Sequence, residues 1–174
     1  MNTPEPGTVA ARDQVRRERM AAPPKSICVL LPVWGRAYIS QFLNYSLPTL
    51  LAPGNIPALA AALPCRFVVM TRASDAVWLR RHSAWRLLSS YCTVELLFID
   101  DLITVGNHST TITLAFQRAV MATGRDKCDT CFFFLVSDYV VADGSLAAVL
   151  RRMQAGASGV LTTNMQCVDD ALEG

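Results

Sequence analysis

Cys131-Phe132-Phe133-Phe134-Leu135-Val136-Ser137-Asp138-Tyr139, followed by Asp143-Gly144-Ser145, is the stretch that decides the fold. Seven residues from Cys131 carry no charge, and they are mostly β-branched or aromatic. Such a run reads as a strand buried on both faces, the habit of parallel sheets covered by helices. The run stops at Asp138. A carboxylate at the carboxyl end of a central parallel strand lies where open α/β sheets bind ligands. There it is able to hold a hard cation, and that cation can neutralise a diphosphate. The plain alternative for any aspartate after a strand is a turn former or a helix cap.

Working outward, the same grammar repeats. Ile27 to Val33 reads as strand one, Arg66 to Thr71 as strand two, Val94 to Ile99 as strand three, 131–136 as strand four and Gly159 to Thr163 as strand five. Between them lie helical spacings. Ile39, Phe42, Leu43, Leu47 and Leu50 mark a helix over 38–51, interrupted by Pro48. Pro53-Gly54-Asn55-Ile56-Pro57 is a turn cluster, with a short helix over about 56–62 after it. Ser74 or Asp75 caps a helix running to about Ser90, with Val77, Trp78, Trp85 and Leu88 inward. A further helix opens between Asn107 and Thr110 and runs through Ala122, and Asp143 caps one over about 144–154. Strands alternating with helices predict βαβ units and a three-layer α/β/α fold with a mainly parallel central sheet.

The 174 residues suggest one domain. Residues 1–25 read as a tail ahead of the domain at 26–174, because Pro23-Pro24 separates scattered arginines from the first strand. A short basic helix over 9–20 offers a route to peripheral membrane contact or to a partner, and a solvated tail is the simpler reading. The segment lacks an apolar core of the signal-peptide kind. The apolar runs have strand length, far below the ~20 residues of a membrane-spanning helix, so no transmembrane segment is expected. A formal net charge of +2 gives no electrostatic case for nucleic acid. Of six cysteines, Cys28, Cys92 and Cys131 fall in or beside apolar runs, as reduced thiols do. Cys128 and Cys131 form one CxxC that leads into a strand instead of opening a helix, which argues against a thioredoxin-like site. Reduced cysteines point to a reducing, cytoplasmic compartment.

Several chemistries are excluded by missing motifs. No GxGxxG follows strand one, which disfavours a dinucleotide-binding domain or a methyltransferase-like fold. No GxxxxGK[ST] and no GxSxG occurs. His82 and His108 lack metal-ligand spacing. His82 reads as solvated on an arginine-rich helix. His108, just after strand three, is placed to face a ligand or to sit at a helix start.

With these elements in order, the chain over about residues 26–165 resembles a GT-A fold glycosyltransferase, a nucleotide-diphospho-sugar transferase of the family-2 kind. The resemblance rests on Leu31-Pro32-Val33-Trp34 closing strand one, and on Val136-Ser137-Asp138 standing where the family carries its Asp-x-Asp motif. It implies a hexosyltransferase that binds a nucleotide-diphosphate sugar over the strand ends and passes the sugar to an acceptor. The implied donor-binding residues are Pro32, Val33, Trp34, Arg36, Arg72, Asp100, Asp101, Ser137 and Asp138. The implied cofactor is Mg2+ or Mn2+ on Asp138. Arg36 and Arg72 follow strands one and two at one sheet edge, where guanidinium groups pair with phosphate. Asp100-Asp101 closes strand three on that edge, for base or ribose contact or simply as a solvated loop.

Two departures shape the alternative. Val136 replaces the first acid of the motif. Asp143, five residues on, either compensates or caps the next helix, and capping is the preferred reading. Only about 36 residues follow Asp138, so the acceptor portion and catalytic base of the family are expected to be lacking. The alternative function is therefore a non-catalytic or truncated α/β binding module.

Overall fold

The computed structural model of the protein describes Val9 and residues 22–162. The tail at 1–21 and the chain beyond Thr162 thus lie, apart from Val9, outside the described residues, as does the basic helix read over 9–20. Four strands, β1 (Ser26–Pro32), β2 (Cys65–Thr71), β3 (Thr93–Phe98) and β4 (Thr130–Phe134), form one sheet in the order β3-β2-β1-β4. All three pairings are parallel. β1 is central and wholly apolar between Ile27 and Leu31, and each of those residues is at most 1% exposed. That is the burial a strand covered on both faces should show.

The helices are α1 (Arg36–Gln41), α2 (Leu47–Leu50), α3 (Ile56–Ala62), α4 (Ala76–Arg81), α5 (Ser83–Tyr91), α6 (His108–Ala122) and α7 (Ser145–Gln154). A π-helical turn, Phe42–Ser46, joins α1 to α2. It explains how the predicted 38–51 helix tolerates Pro48. The widened turn restarts the helix at Leu47, so Pro48 falls in a first turn, where its missing N–H is not needed.

Two apolar layers enclose the sheet. On one face Val29, Leu31, Phe67 and Val69 pack with Phe42, Leu47, Leu59, Leu79, Leu88 and Leu146, which brings α2 to α5 and α7 to that side. On the other face Cys28, Leu30, Val68 and Met70 meet Ala115 and Ala119 of α6. The small alanines let α6 lie close to the sheet. The β1-to-β2 and β2-to-β3 connections therefore cover one face and the β3-to-β4 connection covers the other. The two directions of winding part between β1 and β4, which makes that position the topological switch point. No helix of the described residues is long and apolar enough to cross a membrane.

Several expectations need correction. β4 ends at Phe134, two residues short of the predicted limit, and is an edge strand among the described residues. Cys131 and Phe133 are buried, whereas Phe134 is 53% exposed and packs edge-to-face on Phe116 of α6. The run is thus buried fully on one face and only partly on the other. Gly159 to Thr162 is not a strand, and Leu161 is fully exposed; Thr163 lies outside the described residues. Strand-like composition there finds no neighbour to pair with among the described residues. The helix predicted from Ser74 to Ser90 is broken at His82, whose extended backbone separates α4 from α5. His82 is a cap instead of a mid-helix residue: its Nδ1 accepts the Ala84 N–H at 3.3 Å. The break rephases the apolar stripe, so Ala76 and Leu79 face inward with Trp85 and Leu88, while Val77 and Trp78 are 43% and 47% exposed.

Candidate functional site at the carboxyl ends of the strands

The parallel sheet brings the ends of all four strands to one edge, and with them every residue singled out for donor binding. Pro32 and Val33 are buried there. Pro32 pairs in register with Met70, and Val33 donates its N–H to the Met70 carbonyl at 2.9 Å. These two residues shape the floor and offer no free polar group on their side chains. Trp34 is 9% exposed and stacks on His108, with ring centroids 5.9 Å apart and planes 26° apart. His108 is the first residue of α6, capped by Asn107, whose side-chain oxygen accepts from Thr110 N–H at 3.2 Å. An aromatic just past β1 and the first imidazole of α6 thus meet on one side of the switch point.

Gly35 turns the chain with φ +83, a conformation that side chains rarely adopt. Its N–H is donated to Asp75 Oδ2 at 2.8 Å. Asp75 is at the cap position of α4, but its carboxylate serves the turn after β1 instead of its own helix. Arg36 is exposed, and its guanidinium lies over the Trp78 ring at 5.2 Å from the centroid. Arg72 is half-buried; its carbonyl accepts the Asp75 N–H at 3.1 Å, and its guanidinium has no hydrogen bond or ion pair with the described residues.

The acids of the β3 end are both engaged. Asp100 accepts the Ala73 N–H, at 3.0 Å to Oδ2 and 3.3 Å to Oδ1, and so ties the loop after β3 to the loop after β2. Asp101 holds Arg118 of α6 through two bonds of 2.7 and 2.6 Å. That fork-to-fork hydrogen bonding holds the Asp101 carboxyl below the ordinary carboxylate range. A carboxyl depressed in the folded state stabilises the fold above its unfolded pKa, and the contribution is lost as pH falls through the folded value. Asp101→Asn should therefore lower the urea midpoint at pH 7 by more than at pH 3. Urea titrations at both pH values check this, and an equal gap at both would contradict it.

Ser137 and Asp138 sit just past β4. Leu135 still donates its N–H to Leu30 O at 2.9 Å, after which the chain leaves the sheet. Ser137 is half-buried and Asp138 exposed. Asp138 makes no hydrogen bond or ion pair with the described residues. The loop that carries them is pinned from the far side of the chain. Thr49 Oγ1 accepts the Val141 N–H at 3.1 Å. Asn55 is wholly buried; its amide donates to Thr49 O at 2.9 Å and Ala142 O at 3.2 Å, and its oxygen accepts the Leu146 N–H at 3.1 Å. Asp143 accepts the Gly54 N–H at 2.7 Å.

This corrects the reading of Asp143 as the cap of α7. Gly144 holds the cap position with φ +83 and no side-chain bond, and Asn55 caps the helix from 91 residues away. Asn55, Thr49 and Gly54 were not among the predicted site residues. The turn cluster 53–57 signals a turn, but nothing local in it names a partner so distant in sequence. Among the described residues no group of three or more His, Cys, Asp or Glu side chains is placed to hold a metal ion. No protein-family model, curated protein or solved structure matched this chain.

Proposed function

We propose that the chain is a GT-A-like glycosyltransferase domain that takes a nucleotide-diphosphate sugar across the ends of β1 to β4 and passes the sugar to an acceptor. The observation that carries the proposal is Asp138: an exposed carboxylate with no partner among the described residues, at the switch point of a parallel sheet. The guanidinium of Arg72, just past the next strand but one, is likewise without such a partner and is available to phosphate. One carboxylate fits Mg2+ or Mn2+ as part of a shared shell, because Mg2+ keeps several waters and takes its other oxygens from phosphate. Bound there, the ion would supply charge neutralisation of the diphosphate. The chain's own part is to fix the loop: Thr49, Gly54 and Asn55 hold residues 141–146 on the other side of Asp138, and Leu135 anchors its start.

A binding module without transfer is the second function the site supports. Asp100, Asp101 and Asp143 each serve a structural bond, which leaves Asp138 to the ligand and no further acid assigned to activate an acceptor.

Thermal-shift measurement with nucleotide diphosphates and UDP- and GDP-sugars, with and without Mn2+, tests ligand binding. A ligand that binds only the folded state raises the Tm. A Mn2+-dependent rise for one nucleotide class is expected, and Asp138→Asn should abolish it. The substitution itself should move the unliganded Tm by no more than about 2 °C, as exposed residues without partners do. A flat screen on folded protein would overturn the proposal. Release of free sugar or its transfer in the presence of the responding donor separates the enzyme from the binding module.

A further inference from the structure

At the opposite, amino-terminal end of the sheet lie two cysteines that the site does not use. Cys65 is the first residue of β2, and Cys92 immediately precedes β3. The parallel register pairs Arg66 with Thr93, so one step back sets Cys65 beside Cys92 on neighbouring chains. Adjacent strands lie about 4.8 Å apart, inside the Cα separation that a disulfide spans. Paired positions of parallel strands face the same side, and both sulfurs do pack against the same apolar layer. Both residues are half-buried free thiols, and both line one open hollow of about 530 Å3, together with Pro64 and Tyr91.

We infer that Cys65 and Cys92 form a reversible dithiol–disulfide pair that exchanges with a low-molecular-weight disulfide entering through this hollow. The first step is attack by the Cys92 sulfur on the small disulfide, which forms a mixed disulfide and expels one thiolate. The second is attack by Cys65 on the Cys92 sulfur, which closes the Cys65–Cys92 bond and expels the second thiolate. Both expelled thiolates leave as thiols with the protons of the two cysteines. Two protein thiols are oxidised and one small disulfide is reduced to two thiols, so atoms and electrons balance.

The order of attack follows from how each of the two neighbouring thiols holds its proton. The Cys92 thiol donates to the Leu88 carbonyl at 3.7 Å; the neighbouring Cys65 thiol shifts Cys92 toward the thiolate against the opposing effect of burial, and Cys92 together with burial raises the Cys65 thiol well above its ordinary value. The other buried thiols compete poorly. Burial pushes Cys131 up to about 11, and burial also raises Cys28, which lies on the opposite face of the sheet.

The test is equilibration of the full chain with oxidised glutathione, then alkylation of remaining thiols and peptide mapping by mass. The expected result is loss of two of the six thiols and a cross-linked Cys65–Cys92 peptide, restored to free thiols by reduced glutathione. Cys65→Ser should trap glutathione on Cys92. Cys92→Ser should leave Cys65 free to alkylate. Far-UV circular dichroism of each variant separates loss of the pair from loss of the fold. A cross-link that maps elsewhere, one that joins two chains, or a wild-type Cys92 that stops at the mixed disulfide would each overturn the inference.

Discussion

Asn55→Ala should cost about 3–4 kcal/mol of folding free energy, which urea unfolding would read as a clear fall in midpoint. The side chain is wholly buried and makes three hydrogen bonds, two as donor and one as acceptor. Alanine fills none of these roles. The carbonyls of Thr49 and Ala142 and the N–H of Leu146 would then be left without their partner, and each such group costs about 1–3 kcal/mol when water cannot reach it. The summed penalty is held down by partial solvent access to a loop. Asn55→Asp tests the polarity of the network, because it keeps the acceptor for Leu146 and loses both donors; it should also be destabilised. A variant within about 0.5 kcal/mol of the wild type would show that the network does not support the loop.

Gly54→Ala is expected to cost nearly as much, about 3 kcal/mol, for a different reason. An added Cβ would stand 2.6 Å from the backbone N and Cα of Gly144 and 2.8 Å from Asp143 Oδ1. Backbone atoms cannot step aside as a flexible side chain can, so the two loops must separate. Separation weakens the Gly54 N–H bond to Asp143 and the Ala147 N–H bond to Gly54 O. Overpacking of this kind typically costs about 1–3 kcal/mol, and the coupled bonds place this site at the upper end. The same urea titration checks it. Both substitutions also loosen the segment that follows Asp138, so nucleotide binding, where it occurs, should weaken even under conditions in which the variants stay folded.

These two residues mark the limit of what was legible in the sequence. The four β-strands are visible as apolar runs because a strand covered by helices has nothing polar to show, and their positions agree with the structure to within two residues. The short helix over 56–62 and the long one ending at Ala122 were equally plain from their spacing and turn residues. The break at His82 was not, because its neighbours Arg80, Arg81 and Ser83 are compatible with a continuous helix. Gly159 to Thr162 has strand composition, but a strand exists only where a neighbour supplies hydrogen bonds. The carboxylates show the same division. Sequence order places Asp100, Asp101 and Asp138 at one sheet edge, as the parallel topology requires. Which of them carries a structural bond depends on Ala73 and Arg118, brought near only by the packing of the loop after β2 and of α6.

The central claim is that Asp138 faces a nucleotide diphosphate through a divalent ion. Titration calorimetry of UDP- and GDP-sugars into wild type and Asp138→Asn, each with Mn2+, tests it most directly. The expected result is measurable binding of one nucleotide class to the wild type, weaker by at least about tenfold, or 1.4 kcal/mol, in the variant. No heat with any of these donors on folded wild-type protein, or equal affinity in the two proteins, would contradict it.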